Sequence, residues 1–407
     1  MRGASRRGSP LIPIFLIVFI DLIGFGIIIP LLPLYAESFN ATPTTIGVLL
    51  AAYSLMQMAA TPYLGAMSDK YGRRPILIIS QVGTVLSFIL LGFANSLVLL
   101  FVARLLDGLS GGNISTAQAY ISDVTEERDR AKAFGLIGAA FGIGFILGPA
   151  LGGFLGRNGN YAAPAFAAAA IAFVSLVLTV IMLPESRPPE KRTEVRQPRI
   201  LDIAGFREAF GIGQLGLLLV VFFAFNLAQA GFQSMFALFA QARLDFGVRE
   251  TGYVLAYVGL LAVLLQGGAI GPIVGRWGER RTMRAGLLFA AAGLLASALV
   301  GSWPLLLLTL APLAIGLSIA TPSLNSLLTR ESPAGAYGRI LGLSQSVAAL
   351  ARVLGPLVAG VLFDRLGVPA PFLFAALLLL GAFFVSRNLQ QQPDVIRNSL
   401  RNSHGPA

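Results

Sequence analysis

Long apolar stretches, broken at short intervals by charged or turn-forming clusters, run along almost the whole chain. The first begins at Leu11 and continues to about position 36, and eleven more follow, at about 44–66, 76–93, 97–120, 131–155, 161–183, 214–240, 249–275, 283–301, 303–328, 336–362 and 369–387. A helix needs about 20 apolar residues to cross a hydrocarbon core, so each stretch predicts one membrane span. The first is too long for a signal-peptide core and lacks a small-residue cleavage site, so it reads as a span. The longest polar interruption, from Pro184 to about Gly213, divides the spans six and six. The expected organisation is an all-α membrane protein with a six-helix bundle over 1–183, a cytoplasmic linker over 184–213, a second bundle over 214–388 and a tail over 389–407.

Composition sharpens this picture. Hydrophobic residues make up 56% of the 407 positions and charged residues only 12%, against roughly 25% charge in a soluble domain. A soluble enzyme and a disordered chain are both excluded. The absence of cysteine removes disulfides and thiolate metal sites. The single histidine, His404, lies in the polar tail, so a histidine centre within the spans is unavailable. No metal or other cofactor is expected.

The basic residues fix a topology. With twelve spans, 24 of the 30 Lys and Arg fall on the side of the termini and central linker, and four (Arg157, Arg243, Arg249, Arg365) fall opposite. The positive-inside bias therefore puts both termini in the cytoplasm. The net charge of +11 is then a topology and lipid-headgroup signal. It does not form the continuous basic patch with stacking aromatics that nucleic acid requires.

The chain also repeats itself. Gly65-Ala-Met-Ser-Asp69-Lys70-Tyr-Gly72-Arg73-Arg74 returns as Gly271 to Arg281 at an offset of 206, and Gly148-Pro149 returns as Gly355-Pro356 at 207. Gly135 and Gly342, and Gly108 and Gly316, follow nearly the same offset. Duplicated halves can rock about a central cavity, the arrangement that alternating access needs.

On these residues the chain resembles the major facilitator superfamily, in particular its drug:proton antiporter branch with the tetracycline efflux proteins. The loop signature of that family is matched by Gly65, Asp69, Lys70, Gly72, Arg73 and Arg74. The span-five antiporter signature is matched by Gly144, Gly148, Pro149, Gly152 and Gly153, and the span-four feature by Arg104 and Gly108. Span one echoes the family through Asp21, Gly24, Gly26, Pro30 and Pro33. The resemblance implies a monomeric proton-driven exporter of amphipathic small molecules in the bacterial inner membrane, and no enzymatic activity. It also implies that the Gly65–Arg74 loop latches the two halves on the cytoplasmic side, with Asp123 and Arg130 as partners. The tetracycline pumps carry acids in spans three and nine and a histidine in span eight. These are absent here, which removes the basis for their metal–tetracycline site. A lipid or metabolite transporter, or a non-transporting receptor or scaffold, remains an alternative.

The residues themselves suggest roles. Asp69, at a helix end, is expected to accept helix N-terminal amides and to pair with arginine. Gly144, Gly148 and Gly152 at spacings of four give span five one small-residue face, and Pro149 bends it. This hinge is expected to lie at the interface of the bundles, opposite Gly355 and Pro356. Charges inside spans mark function. Asp21 and Asp107 are the candidate proton carriers, with Arg104 and Arg352 as the cations that bias them; a static Arg104–Asp107 pair and headgroup snorkelling by Arg352 are the plainer readings. Asn226, Gln229 and Gln233 form a polar stripe on span seven. Together with Asp21, Gln57, Asn113 and Gln345, and with the aromatic residues Tyr53, Phe236 and Tyr257, they are the candidate substrate-binding set. Helix–helix hydrogen bonding is the alternative for each amide.

Overall fold

The structure, a computed structural model, describes residues 11–126, 129–192, 203–332 and 337–389. Within them every long element is helical: α1 (Leu11–Glu37), α2 (Pro43–Tyr71), α3 (Arg73–Gly92), α4 (Leu97–Ser110), α5 (Asn113–Val124), α6 (Arg130–Leu155), α7 (Ala162–Met182), α8 (Ile203–Gly211), α9 (Leu215–Leu244), α10 (Val248–Leu264), α11 (Ile270–Trp277), α12 (Glu279–Ala298), α13 (Trp303–Arg330), α14 (Tyr337–Leu366) and α15 (Ala370–Arg387). His404 and the tail lie outside the described residues.

Among the described residues, eleven segments are long and apolar enough to cross a membrane, with α4–α5 and α10–α11 each forming one. Helix α12 has the length, at 20 residues, but its first two turns carry Glu279, Arg280, Arg281 and Arg284. Its apolar side is nevertheless committed to the core. Met283, Leu287, Ala290 and Leu294 are buried, and Gly286 and Gly293 bring its backbone against Gly316 and Leu313 of α13.

Two spans depart from simple helices. Span four breaks at Gly111-Gly112, between α4 and α5, where α2 presses in. Side-chain atoms of Gln57 and Leu64 occupy the space a Cβ would need. Span eight contains a π-helical turn over Leu265–Ala269, which includes Gly267 and Gly268. The linker expected over 184–213 also contains a helix of its own, α8. The duplicated turn is visible in the backbone: Gly72 and Gly278 hold the same left-handed conformation, with φ of 107° and 76°, a region favoured by glycine.

Among the described residues the core falls into three apolar clusters. One is built wholly from residues between Ala209 and Leu389. Another is built wholly from residues between Ile14 and Leu183. The third joins the two parts of the chain, bringing Ile27, Leu31 and Ile46 together with Met235, Leu238 and Ala359.

That junction lies at one end of the molecule. There Gly47 of α2 abuts the backbone of Pro356 and Gly360 on α14, and Gly252 of α10 abuts Pro149 and Gly153 on α6. The amide of Thr44 donates to Asp364 Oδ2 at 2.9 Å. At the opposite end, which carries the basic loops, Gly65, Gly271, Gly275 and Gly342 have no atom beyond the local backbone within 4 Å of a built Cβ. Among the described residues, the close glycine contacts between the two parts of the chain lie toward this junction, and none is seen at the basic-loop end.

This packing corrects one expectation. Helix α6 does not face Gly355 and Pro356. Its Gly144, Gly148 and Gly152 lie on Leu22, Gly26 and Ile27 of α1, while Gly355 lies on Ala230 and Gly231 of α9. Across the junction α6 meets α10, and α14 meets α2. Equivalent helices of a repeat are related by symmetry, and here that relation does not make them neighbours.

Candidate functional site: charged clusters inside the spans

Asp21 sits in the eleventh position of α1. Its Oδ2 accepts from Gln81 Nε2 of α3 at 3.4 Å and from Asn113 Nδ2 of α5 at 3.3 Å. The break at Gly111-Gly112 sets where α5 starts, and Asn113 is its first residue. Gln81 Nε2 also donates to Ser175 Oγ of α7 at 2.8 Å, and Ser175 reaches the Ile17 carbonyl at 3.2 Å. Four helices thus converge on one carboxylate through neutral groups. The oxygens of both amides, Gln81 Oε1 and Asn113 Oδ1, are buried without a hydrogen-bond partner.

A second cluster lies on α4. Arg104 and Asp107, one turn apart, pair at 2.6 Å, with side chains 5% and 7% exposed. Such burial outside water makes the pair mutually dependent. The Arg104 guanidinium stands 4.0 Å over the Tyr53 ring, a cation–π contact. Gln57 Nε2 donates to the Tyr53 hydroxyl at 3.0 Å and to the Gly111 carbonyl at 3.2 Å. Ser87, buried on α3, donates to the Thr84 carbonyl of its own helix at 2.8 Å.

Arg352 stands apart from these pairs. It is exposed on α14, within electrostatic reach of Tyr53.

The loop between α2 and α3 forms a different network. Asp69 pairs with Arg73 at 2.8 Å and with Arg187 at 2.5 Å, and Arg73 Nε reaches Asp123 at 3.0 Å. The helix amides assigned to Asp69 go elsewhere. Glu185 accepts from the backbone N–H of Arg73 at 2.9 Å and Arg74 at 3.2 Å, because Gly72 leaves room for its carboxylate directly beside the turn. Arg74 donates to the Val180 carbonyl at 2.6 Å, and Lys70 lies over Tyr71. Arg130 begins α6, and its side chain lies outside the described set.

The second half has no acid at position 275, yet it builds a matching bridge. Arg280, the repeat partner of Arg73, pairs with Glu331, close to the repeat position of Asp123. Glu279 adds Arg330 at 3.2 Å and Ser326 at 2.6 Å.

The remaining expected substrate residues divide. Gln233 and Gln345 are exposed and Gln229 is half-buried. Asn226 donates to the Phe222 carbonyl of its own helix at 2.8 Å, and Tyr257 reaches the Leu307 carbonyl of α13 at 3.3 Å. Phe236 is a correction. It is 1% exposed and packs on Phe232, whose ring lies on Phe372, so it belongs to the apolar core and not to a binding surface. An aromatic beside a polar stripe carries no sequence mark of which way it turns. Gln81, Ser175 and Glu185 were not singled out from sequence. For Gln81 and Ser175 the available signal was an isolated polar residue within an apolar run.

The family model described as Major Facilitator Superfamily matches residues 14–271 and 267–397. A tetracycline resistance protein of class H from Pasteurella multocida is 31% identical, the alignment covering 93% of this chain and 96% of that protein. Multidrug resistance protein 2 of Bacillus subtilis is 28% identical over 89% of this chain and 90% of its own. Among solved structures, the human organic anion transporter MFSD10 superposes with a TM-score of 0.71 at 24% identity, over 95% of this chain and all of that one; that likeness speaks to the fold. The family consists of transporters, not enzymes. With a family model spanning nearly its full length and curated relatives matched almost end to end, this multi-pass membrane protein belongs to the Major Facilitator Superfamily.

Proposed function

We propose that the chain is a proton-driven exporter of amphipathic small molecules, acting as a monomer in the bacterial inner membrane by alternating access. Curated relatives named for tetracycline and multidrug resistance support the export reading. In this reading α12 is the ninth of twelve spans, the halves 1–183 and 214–388 are the two rocking bundles, and both termini face the cytoplasm. The basic-loop end is then the cytoplasmic mouth, and the junction end is the outer gate.

One observation carries the coupling mechanism: a membrane carboxylate held by amides whose own oxygens are unfilled. Ionised Asp21 accepts from the two amide nitrogens. A protonated Asp21 is a donor, and a half-turn of either amide presents the waiting oxygen to it. Both protonation states are therefore satisfied without moving a helix far. Neutral donors hold the charge less firmly than a paired arginine would, so the proton can leave again. Asp107, tied to Arg104, is the second carrier or the fixed counter-charge. Arg352 completes the coupling set from the other half. The cytoplasmic latch of Gly65, Asp69, Lys70, Gly72, Arg73, Arg74, Asp123 and Arg130 works against the opposite half when the mouth shuts.

Substrate enters the open mouth and meets Tyr53, Gln57, Gln229, Gln233 and Gln345. Flux of candidate amphiphiles in proteoliposomes with an imposed pH gradient tests the reading. Uptake that follows the gradient and collapses with an uncoupler is expected, and uptake indifferent to the gradient would overturn proton coupling.

A further inference from the structure

We infer that the exported substrates are acidic amphiphiles, whose anionic group is held at the apex of the open cavity by Arg352. This deepens the export reading and rests on it.

The sequence places four charged residues inside the spans: Asp21, Arg104, Asp107 and Arg352. Three are already committed. Arg104 and Asp107 neutralise each other at 2.6 Å, and Asp21 is enclosed by amides from two helices. Arg352 has no ion pair or hydrogen bond among the described residues. An unpaired guanidinium at membrane depth is costly unless it borders water or meets an anion.

Its position gives that cost a use. On α14, Gln345, Ala349, Arg352 and Pro356 recur at spacings of four, three and four and so share one broad helix face. At Pro356 this face is shut against Gly47 of α2. Arg352 lies one turn, about 6 Å, toward the open mouth. Tyr53 lies six residues beyond Gly47 on α2, about 9 Å in the same direction. Arg352 and Tyr53 therefore lie at similar depth just beneath the closed junction, within electrostatic reach of each other. Gln345, exposed two turns nearer the mouth, adds an amide along the same wall.

The charge balance selects the ligand. Arg104 and Asp107 neutralise each other, so Arg352 leaves the apex with one net positive charge. A carboxylate, sulfonate or enolate finds a fork of N–H donors on Arg352, and the Tyr53 hydroxyl lies close by.

Three fluorescent probes of one shape test this: dansylglycine (anionic), dansylamide (neutral) and dansylcadaverine (cationic). Binding is titrated by fluorescence on the full chain in lipid nanodiscs, and gradient-driven flux of the same probes is followed in proteoliposomes. Dansylglycine is expected to bind at least tenfold more tightly than dansylamide. Arg352→Gln is expected to remove that preference, and Arg352→Lys to keep most of it. A preference for dansylcadaverine, or a dansylglycine preference unchanged in Arg352→Gln, overturns the inference. If dansylcadaverine is moved by the gradient in both wild type and Arg352→Gln, the anion class falls and the exporter stands. If no probe moves and none is preferred, both fall.

Discussion

Gly252 lies directly against the carbonyl oxygen of Pro149, and a methyl group added there would also stand 2.8 Å from the α-carbon of Gly153. The repeat partner of this contact is Gly47 against Pro356 and Gly360. The two antiporter-type glycine–proline segments therefore do the same work in each half. Each offers bare backbone on which a glycine of the other half closes.

From this follows a conformational prediction. Gly252→Ala introduces overpacking worth about 1–3 kcal/mol, all of it in the closed junction. The equilibrium is expected to move about five- to 150-fold toward the state open at the junction end, since about 1.4 kcal/mol is a factor of ten. The chain has no cysteine, so a single reporter, Gly342→Cys at the basic-loop end, reads the change directly. Its alkylation is expected to slow in Gly252→Ala. Gly275→Ala, where no atom beyond the local backbone stands within 4 Å, is expected to leave it unchanged.

The Arg104–Asp107 pair gives a stability prediction that separates structure from function. Arg104→Gln strands a buried carboxylate and is expected to cost about 3–5 kcal/mol, seen as a lowered melting temperature in detergent. Replacing both residues, Arg104→Met with Asp107→Leu, is expected to recover most of the stability. If the pair also serves coupling, the double variant melts normally and does not transport. Normal transport in the double variant would show the pair to be structural.

Glu185 and Asp69 are expected to differ. Glu185→Ala removes the acceptor for two amides at the start of α3, a capping loss of about 0.5–2 kcal/mol. Asp69→Ala leaves those amides capped. Thermal unfolding is expected to respond more to Glu185→Ala, and the transport rate more to Asp69→Ala. Equal melting temperatures for Glu185→Ala and wild type would contradict the capping role.

The spans were legible because crossing a membrane imposes a length and a composition on each segment, and the basic loops separate them. The duplication was legible as well, since Gly72 and Gly278 need the same backbone conformation. What sequence periodicity cannot supply is which helices touch. It related α6 to α14, whereas the structure pairs α6 with α10. It marked Asp21 but not its partners, because Gln81 and Ser175 are single polar residues 60 and 154 positions away, with no local pattern linking them. Phe236 was misplaced for a similar reason, since an aromatic on a helix suits an apolar core as well as a cavity wall. The break at Gly111-Gly112 was written as a double glycine, but its purpose, starting a new helix at Asn113, appears only when α2 is seen against it.

Gradient-driven flux in proteoliposomes, compared between wild type, Asp21→Asn, Asp107→Asn and the double substitution, tests the coupling mechanism most directly. Asparagine keeps the shape and hydrogen-bonding of the Asp21 site but cannot carry a proton. Asp21→Asn is expected to lose dependence on the pH gradient while still exchanging substrate across the membrane, and Asp107→Asn is expected to retain gradient dependence. Normal gradient-driven transport in the double substitution would contradict the carboxylate mechanism altogether.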